Sequence, residues 1–297
     1  MKQIVCFGEV LWDMLPKGRK IGGAPLNVAL RFQSLGNKSI IISSIGNDQD
    51  GKDIIQHIQK RSADTNHLQI SNKFETSRVL VTLNDTGSAT YEIKKPCAWD
   101  DILLLDKDKK AVRDSDAFIF GSLSARMETS HQTLLSLLKE SKFNVFDINL
   151  RAPHYQQNTL ESLMQKSDFI KLNDEEILKI CQTMGTENQS PEDNIRFISK
   201  KTNTQRICVT LGEKGAVLFE KGKFYYNHGY KVTVADTVGS GDSFLAALIS
   251  KMLNGTESQK ALDFACATGA IVASKHGANH KVTIGEINNL IEKENIK

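Results

Sequence analysis

Short apolar runs alternate with amphipathic stretches along nearly the whole chain. Residues 3–8, 39–45, 117–120, 144–147, 169–172 and 206–210 read as buried strands, while residues 25–35, 51–61, 129–141 and 174–181 carry helical patterns. That alternation predicts βαβ units around a central, mostly parallel sheet flanked by helices, an α/β fold.

Two regions break the rhythm. Residues 77–83 and 88–94 are strand-like runs on either side of Asn84-Asp85-Thr86-Gly87, which is hairpin-turn chemistry. Residues 9–23 form an irregular stretch with Trp12, Pro16 and paired glycines. The two together predict a small β-sheet lid over the main sheet. After Leu211 the pattern changes to closely spaced strands at 216–220, 223–226 and 230–234, then long helices at 241–253 and 257–275 and a charged amphipathic helix at 285–297. No repeat, low-complexity tract or linker intervenes, so residues 1–297 are expected to form one main domain with lid segments at about 10–23 and 75–100.

Composition narrows the class without changing the fold. With 40% hydrophobic and 25% charged residues the chain is an ordinary globular one. Its net charge of +3 comes from 38 basic and 35 acidic residues scattered along the chain, which argues against a nucleic-acid partner. The run Asp106-Lys107-Asp108-Lys109-Lys110 alternates in sign and reads as a solvated helix end. The five cysteines (Cys6, Cys97, Cys181, Cys208, Cys266) are far apart and form no C-x-x-C pair, so they read as buried reduced thiols. Residues 4–7 are too short an apolar run for a signal peptide, and nothing approaches the length of a membrane span. A cytoplasmic protein with no membrane partner is expected.

The segment Ala235-Asp236-Thr237-Val238-Gly239-Ser240-Gly241-Asp242-Ser243-Phe244 sets a glycine-bearing turn between a β-branched run and an apolar helix. Glycines let several backbone N–H groups converge, and the helix that follows adds the positive end of its dipole, so the turn suits an anion. A carboxylate at Asp242 would repel phosphate there, unless it faces an incoming hydroxyl and takes its proton during in-line attack as a general base. The alternative is a first-turn acid that simply complements the helix dipole. Two better-known phosphate motifs fit poorly. Phe244 stands where a dinucleotide fingerprint needs its third glycine, and the near match to Walker A from Gly46 to Lys52 puts Asp53 at the magnesium-binding hydroxyl and Asp48 and Asp50 inside the cradle.

Gly22-Gly23-Ala24-Pro25-Leu26-Asn27 is a second glycine turn entering a helix, where Asn27 could offer donor and acceptor to a ligand hydroxyl or merely follow a Pro-started helix. Asp147-Ile148-Asn149-Leu150-Arg151 ends a predicted strand, and ligands of open α/β sheets bind at strand carboxyl ends. Asn173 and Glu176 lie three apart at a helix start. They could serve hydrated magnesium beside phosphates, or form a capping box. Thr210, Gly212 and Gly215 end another strand in a glycine turn that permits close approach of a nucleotide or is an ordinary hairpin.

Taken in order, Gly22-Gly23-Ala24-Pro25-x-Asn27, Asp147-x-Asn149-x-Arg151, Asn173-x-x-Glu176, Thr210-x-Gly212-x-x-Gly215 and Asp236 to Asp242 resemble the ribokinase-like (PfkB) carbohydrate kinases, from Gly8 to about Gly277. Within the family, Gly8-Glu9-x-Leu11-Trp12-Asp13, Gly22-Gly23-Ala24-Pro25 and Asp147-Ile148-Asn149-Leu150-Arg151 are most similar to bacterial fructokinases. The resemblance implies the ribokinase-like fold and transfer of phosphate from ATP to D-fructose, giving fructose 6-phosphate. It implies Asp242 as base and the backbone of Gly239, Ser240 and Gly241 as an anion hole. Asp13, Gly23, Asn27 and Arg151 would hold the sugar, and Asn173, Thr210, Gly212 and Gly215 would border the nucleotide. Glu176 would serve Mg2+ through water, and Asp236 would take part in a K+ site of the kind some relatives have. The lid segments would close over the site and could carry a homodimer interface. Other readings are a kinase of 2-keto-3-deoxygluconate, another sugar acid or a nucleoside, since Arg151 could pair with a carboxylate, and a catalytically silent sugar binder.

Overall fold

The computed structural model describes residues 1–15, 18–61, 63–83, 89–186 and 190–295. In chain order the elements are β1 (Gln3–Phe7), β2 (Leu11–Leu15), β3 (Gly18–Gly22), α1 (Ala24–Ser34), β4 (Lys38–Gly46), α2 (Gln49–Gln59), β5 (Leu68–Ser71), β6 (Ser77–Leu83) and β7 (Ala89–Ile93). They continue with α3 (Asp106–Asp114), β8 (Ala117–Gly121), α4 (Glu128–Leu138), β9 (Asn144–Asp147), α5 (Gln157–Met164), β10 (Phe169–Asn173), α6 (Asp174–Thr183), α7 (Pro191–Thr202), β11 (Arg206–Thr210), β12 (Ala216–Glu220) and β13 (Lys223–Asn227). Three helices close the chain: α8 (Ser240–Leu253), α9 (Ser258–Ala273) and α10 (Ile284–Asn295).

The main sheet has nine strands in the order β13-β12-β11-β10-β9-β8-β1-β4-β5. From β11 to β5 every neighbouring pair is parallel, and β12 and β13 add an antiparallel edge. The period of two in a strand sends alternate side chains to opposite faces, and the core divides accordingly. Ile4, Cys6, Ile119, Val145 and Cys208 join the helices α1, α8 and α9 on one face, while Val5, Phe7, Phe118, Phe120, Phe146 and Val209 meet α4 to α7 on the other. Both faces are covered, which is why these strands read as unbroken apolar runs. Phe120 stacks between Phe118 and Phe146 at centroid distances of 5.9 and 4.9 Å, filling the second face.

A second sheet, β3-β2-β6-β7, grows out of the carboxyl end of β1. β2 pairs antiparallel with β3 and parallel with β6, and β6 pairs antiparallel with β7. It is tied to α2 by Asp50, whose carboxylate takes Arg19 and Arg78 and whose carbonyl accepts the Trp12 indole N–H at 3.1 Å. The turn expected at Asn84 to Gly87 lies outside the described residues.

Several expectations change. The irregular stretch 9–23 contains two ordered strands, β2 and β3, which pair with each other locally, while β2 pairs on its other side with the distant β6. Residues 230–234, read as a strand, have no regular structure. They run along the wall of a cleft, and the chain next pairs through the Ala235 N–H to the Ala273 carbonyl at 2.8 Å instead of joining the sheet. The mixed-charge run at 106–110 opens α3 with Asp106, Lys107 and Lys110 exposed, as expected of a solvated helix end, but Asp108 within it is fully buried, 2.6 Å from His67 Nδ1. The Walker-like loop is closed by its own carboxylate, since Asp48 caps α2 by accepting from the Gly51 and Thr76 N–H groups. All five cysteines are buried and unpaired. Among the described residues no helix is long and apolar enough to cross a membrane.

Candidate active site

β1 lies between β4 and β8, and the chain builds the sheet outward in both directions from it. Such a switch point opens a crevice at the strand carboxyl ends. Glu9 follows β1 there, Arg151 follows β9, and Asn173 and Thr210 end β10 and β11. The amino end of α8 faces this edge and brings Asp242 in its first turn.

Gly239 caps α8 at φ 75°, a left-handed conformation, and an added Cβ would lie 2.2 Å from that of Ala278, so only glycine fits. The Ser240 N–H closes the turn onto the Thr237 carbonyl at 3.1 Å and its hydroxyl donates to the Gly269 carbonyl at 3.0 Å. Of the three amides expected in an anion hole, that of Ser240 is therefore engaged within the turn. Gly241 follows it in the first helical turn, where N–H groups have no partner within the helix. Asn27 Nδ2 donates to Asp242 Oδ2 at 2.8 Å. Burial pushes the Asp242 carboxyl up from 3.8 to about 6, with Asp147 adding to the rise and Asn27, Lys171 and Arg151 opposing it. A base poised near neutrality can both hold and release a proton.

Beneath this turn sits a buried cation that the sequence reading overlooked. Lys171, in β10 and only 7% exposed, places Nζ 3.1 and 3.3 Å from the two oxygens of Asp147. The same Nζ is 3.3 Å from where a Gly241 Cβ would stand, so the missing side chain is what lets the ammonium approach the turn. Burial alone would lower the Lys171 pKa, but the carboxylates of Asp147, Glu176 and Asp242 outweigh it and hold the amine protonated.

On the other side of Asp242, Glu9, Asp13 and Arg151 gather. Glu9 is 3% exposed with Oε2 unpartnered, and burial raises its carboxyl to about 7. Asp13, on β2, is raised to about 6, first by burial, while Arg151 and Lys20 oppose the rise. Arg151 is exposed, donates Nη1 to the Leu150 carbonyl at 3.0 Å, and its charge reaches Glu9, Asp13 and Asp242. Gly23 caps α1, and its carbonyl accepts the Asn27 N–H at 2.9 Å. This cluster of side chains is rich in acceptors, which suits a polyhydroxylated ligand.

A cleft of about 1420 Å3 opens on the opposite side, lined by Asn173, Thr210, Gly212, Gly215, Ser240 and Gly241 among others. Its size suits a nucleotide, and it ends at the glycine turn. Glu176 does not line it. That carboxylate completes a capping box, accepting the Asn173 N–H on Oε2 and the Leu150 N–H on Oε1, both at 2.8 Å, while Asn173 Oδ1 accepts the Glu176 N–H. Asp236 is likewise committed to backbone, accepting the Val238 and Gly277 N–H groups at 3.0 Å, with Lys20 Nζ 3.8 Å away.

The structure thus joins Asp13, Gly23, Asn27, Arg151 and Asp242 on one side and Asn173, Thr210, Gly212 and Gly215 on the other, and sets Glu176 and Asp236 behind them as braces. Lys171, Glu9 and Asn279 were overlooked. A lysine inside a strand buried on both faces was a usable signal for the first, and a glutamate directly after a buried strand for the second. For Asn279, which donates Nδ2 to Asn27 Oδ1 at 2.8 Å, the sequence carries none.

These shifts predict a pH profile. A general base works deprotonated, so kcat/KM should rise with pH through about 6, the position of Asp242, and flatten above. Glu9 and Asp13 titrate nearby, so the limb belongs to the cluster and should be steeper than a single ionisation. An acid limb centred near the ordinary 3.8 would contradict the burial of Asp242.

The pfkB family carbohydrate kinases match this chain over residues 1–284. "Probable fructokinase-3" of Arabidopsis thaliana is 29% identical, over 93% of this chain and 87% of its own length. A fructokinase with bound ATP from Xylella fastidiosa superposes with a TM-score of 0.86 at 20% identity, covering 99% of both chains. A 2-dehydro-3-deoxygluconokinase from Thermotoga maritima does so with a TM-score of 0.86, also at 20% identity, over 98% of each. At that identity the two structures speak for the fold alone, which is the ribokinase-like one. With its family matched from the first strand to the start of the last helix, the chain belongs to the PfkB carbohydrate kinases.

Proposed function

We propose that this kinase transfers the γ-phosphoryl group of ATP to D-fructose, giving fructose 6-phosphate and ADP. The observation that carries the reading is the placement of Asp242, fixed by Asn27 where the acceptor-rich cluster meets the nucleotide-sized cleft. In the reaction the sugar hydroxyl oxygen forms the new bond to phosphorus as its proton passes to Asp242. The bond from phosphorus to the β–γ bridging oxygen breaks, and ADP leaves with that electron pair. Gly239 and Gly241 would meet the transferring group, with the Lys171 ammonium behind them. Asp13, Gly23, Asn27 and Arg151 would hold the sugar, and Asn173, Thr210, Gly212 and Gly215 the nucleotide.

Magnesium, when bound, neutralises charge on the phosphates. The donor set fits it only through water: each Glu176 oxygen already accepts one N–H and keeps lone-pair capacity for a hydrogen bond from a coordinated water, beside Asn173. Asp236 would offer a potassium ion chiefly Oδ1, which accepts one amide N–H and keeps lone-pair capacity, since Oδ2 meets both the Gly277 N–H and Lys20. The β3-β2-β6-β7 sheet acts as the lid, carrying Asp13 over the sugar and excluding water. Pairing of two copies through this sheet belongs to the same reading, and the exposed Leu80 on it would be one apolar contact.

A panel of sugars with coupled detection of ADP tests the substrate. Fructose should give the highest kcat/KM. The exposed Arg151 guanidinium favours one alternative, a sugar acid. Turnover of 2-keto-3-deoxygluconate without turnover of fructose would replace fructose in this reading.

A further inference from the structure

The hydrogen bond that orients Asp242 is itself controlled from a third segment. Asn27 presents one face of its amide, Nδ2, to Asp242 Oδ2 and the other, Oδ1, to Asn279 Nδ2, each at 2.8 Å. A side-chain amide is nearly symmetric in shape, so its orientation is decided by its partners. Were Asn27 turned over, its oxygen would face a carboxylate oxygen and its NH2 would face another NH2. The carboxylate of Asp242 selects the orientation that donates to it, and Asn279 anchors the other end of the amide through Oδ1.

Asn279 stands on a firmly held stretch of backbone. It lies in the loop after α9, which Arg31 grips from α1. Arg31 is 3% exposed, donating Nη2 to the carbonyls of Ala278 and His280 at 3.2 and 3.1 Å and Nε to Ser243 Oγ of α8 at 3.1 Å. On the other side, Asp236 accepts the Gly277 N–H at 3.0 Å, and Ala278 packs against Gly239. The loop, α1 and the start of α8 are therefore one braced unit around Asp242.

We propose that Asn279 is a positioning residue for phosphoryl transfer, fixing the amide of Asn27 so that Asn27 holds Oδ2 of Asp242 and leaves Oδ1 to meet the sugar hydroxyl. This rests on the reading of Asp242 as the base. The groups facing Asp242 are Asp147 and Arg151 from β9 and the turn after it, Lys171 from β10, and Glu9 and Asp13 from the β1–β2 segment. None of them is altered by a change at residue 279, so a shift of the acid limb can be assigned to the amide. The Asn27 hydrogen bond lowers the Asp242 pKa, so its loss should move the acid limb of kcat/KM to higher pH.

The test compares wild type, Asn279→Ala, Asn27→Ala and the double variant in the ADP-coupled assay on the best sugar. Asn279→Ala should lower kcat roughly three- to tenfold, the scale of one hydrogen bond, with KM for ATP unchanged. In the Asn27→Ala background the same change should cost nothing further, because Asn279 acts only through Asn27. Should Asn279→Ala fail to fold, the isosteric Asn279→Asp takes its place; it cannot donate to Asn27 Oδ1 and should be more impaired. Wild-type kcat and pH profile in folded Asn279 variants, or an equal loss in both backgrounds, would overturn the role of Asn279 alone. Absence of sugar-dependent ADP release by wild type would overturn the parent reading instead.

Discussion

Replacing Asp242 with asparagine should lower kcat by roughly a hundredfold or more, the scale of general-base catalysis, while nucleotide binding survives. Asparagine keeps the shape and can still meet Asn27, so packing around α8 is preserved and the loss reports the proton acceptor itself. Because the base acts in the transition state, kcat and kcat/KM should fall together with KM nearly constant. The acid limb near pH 6 should also become shallower in the variant, since Asp242 no longer titrates while Glu9 and Asp13 still do. Full turnover by Asp242→Asn, measured in the ADP-coupled assay, would remove this residue from the chemistry and leave it a helix-dipole acid.

The second large effect is expected at Lys171. Lys171→Met leaves Asp147 buried without its cation, and breaking a buried pair in this way costs about 3–5 kcal/mol. Urea denaturation should register that loss. Lys171→Met/Asp147→Asn removes both charges of the closest pair and should recover much of the stability, with Glu176 and Asp242 left as the remaining carboxylates near the site. Activity should not recover with it. The ammonium beneath Gly241 is absent in both variants, so kcat should stay depressed by about tenfold or more, as for loss of one group that stabilises developing charge. In the single variant, loss of Lys171 also removes a group that lowers the Asp242 pKa, so the acid limb should move upward. A stable double variant with wild-type kcat would show that the pair serves folding alone.

The contrast between stability and activity at Lys171 illustrates what could be read from the chain. The parallel sheet was legible because its strands are buried on both faces, and Ile4, Val5, Cys6 and Phe7 state this directly in composition. The glycine turn before Asp242 was legible because conformation and helix dipole act locally. Lys171 was passed over because the apolar run around it, from Phe169 to Leu172, dominated the reading. The lid stretch 9–23 does not divide into β2 and β3 by local alternation, because β2 is held in part by β6, more than sixty residues away, and residues 230–234 pass for a strand because alternation alone cannot tell a sheet strand from a cleft wall. Glu176 carried two readings, cap and magnesium residue, that spacing could not separate; the capping box is now geometric fact, and any service to magnesium is left to its remaining lone pairs. The link from Asn279 through Asn27 to Asp242 spans more than two hundred residues and leaves no local trace.

The most direct test of the central claim is the amount of ADP formed by the wild-type protein from ATP with and without fructose, measured against the phosphate ester formed. ADP release should depend on the sugar, with one ester made for each ADP. A protein that binds fructose yet releases no ADP with it or with any other sugar of the panel would contradict the account and mark the site as a binder without chemistry.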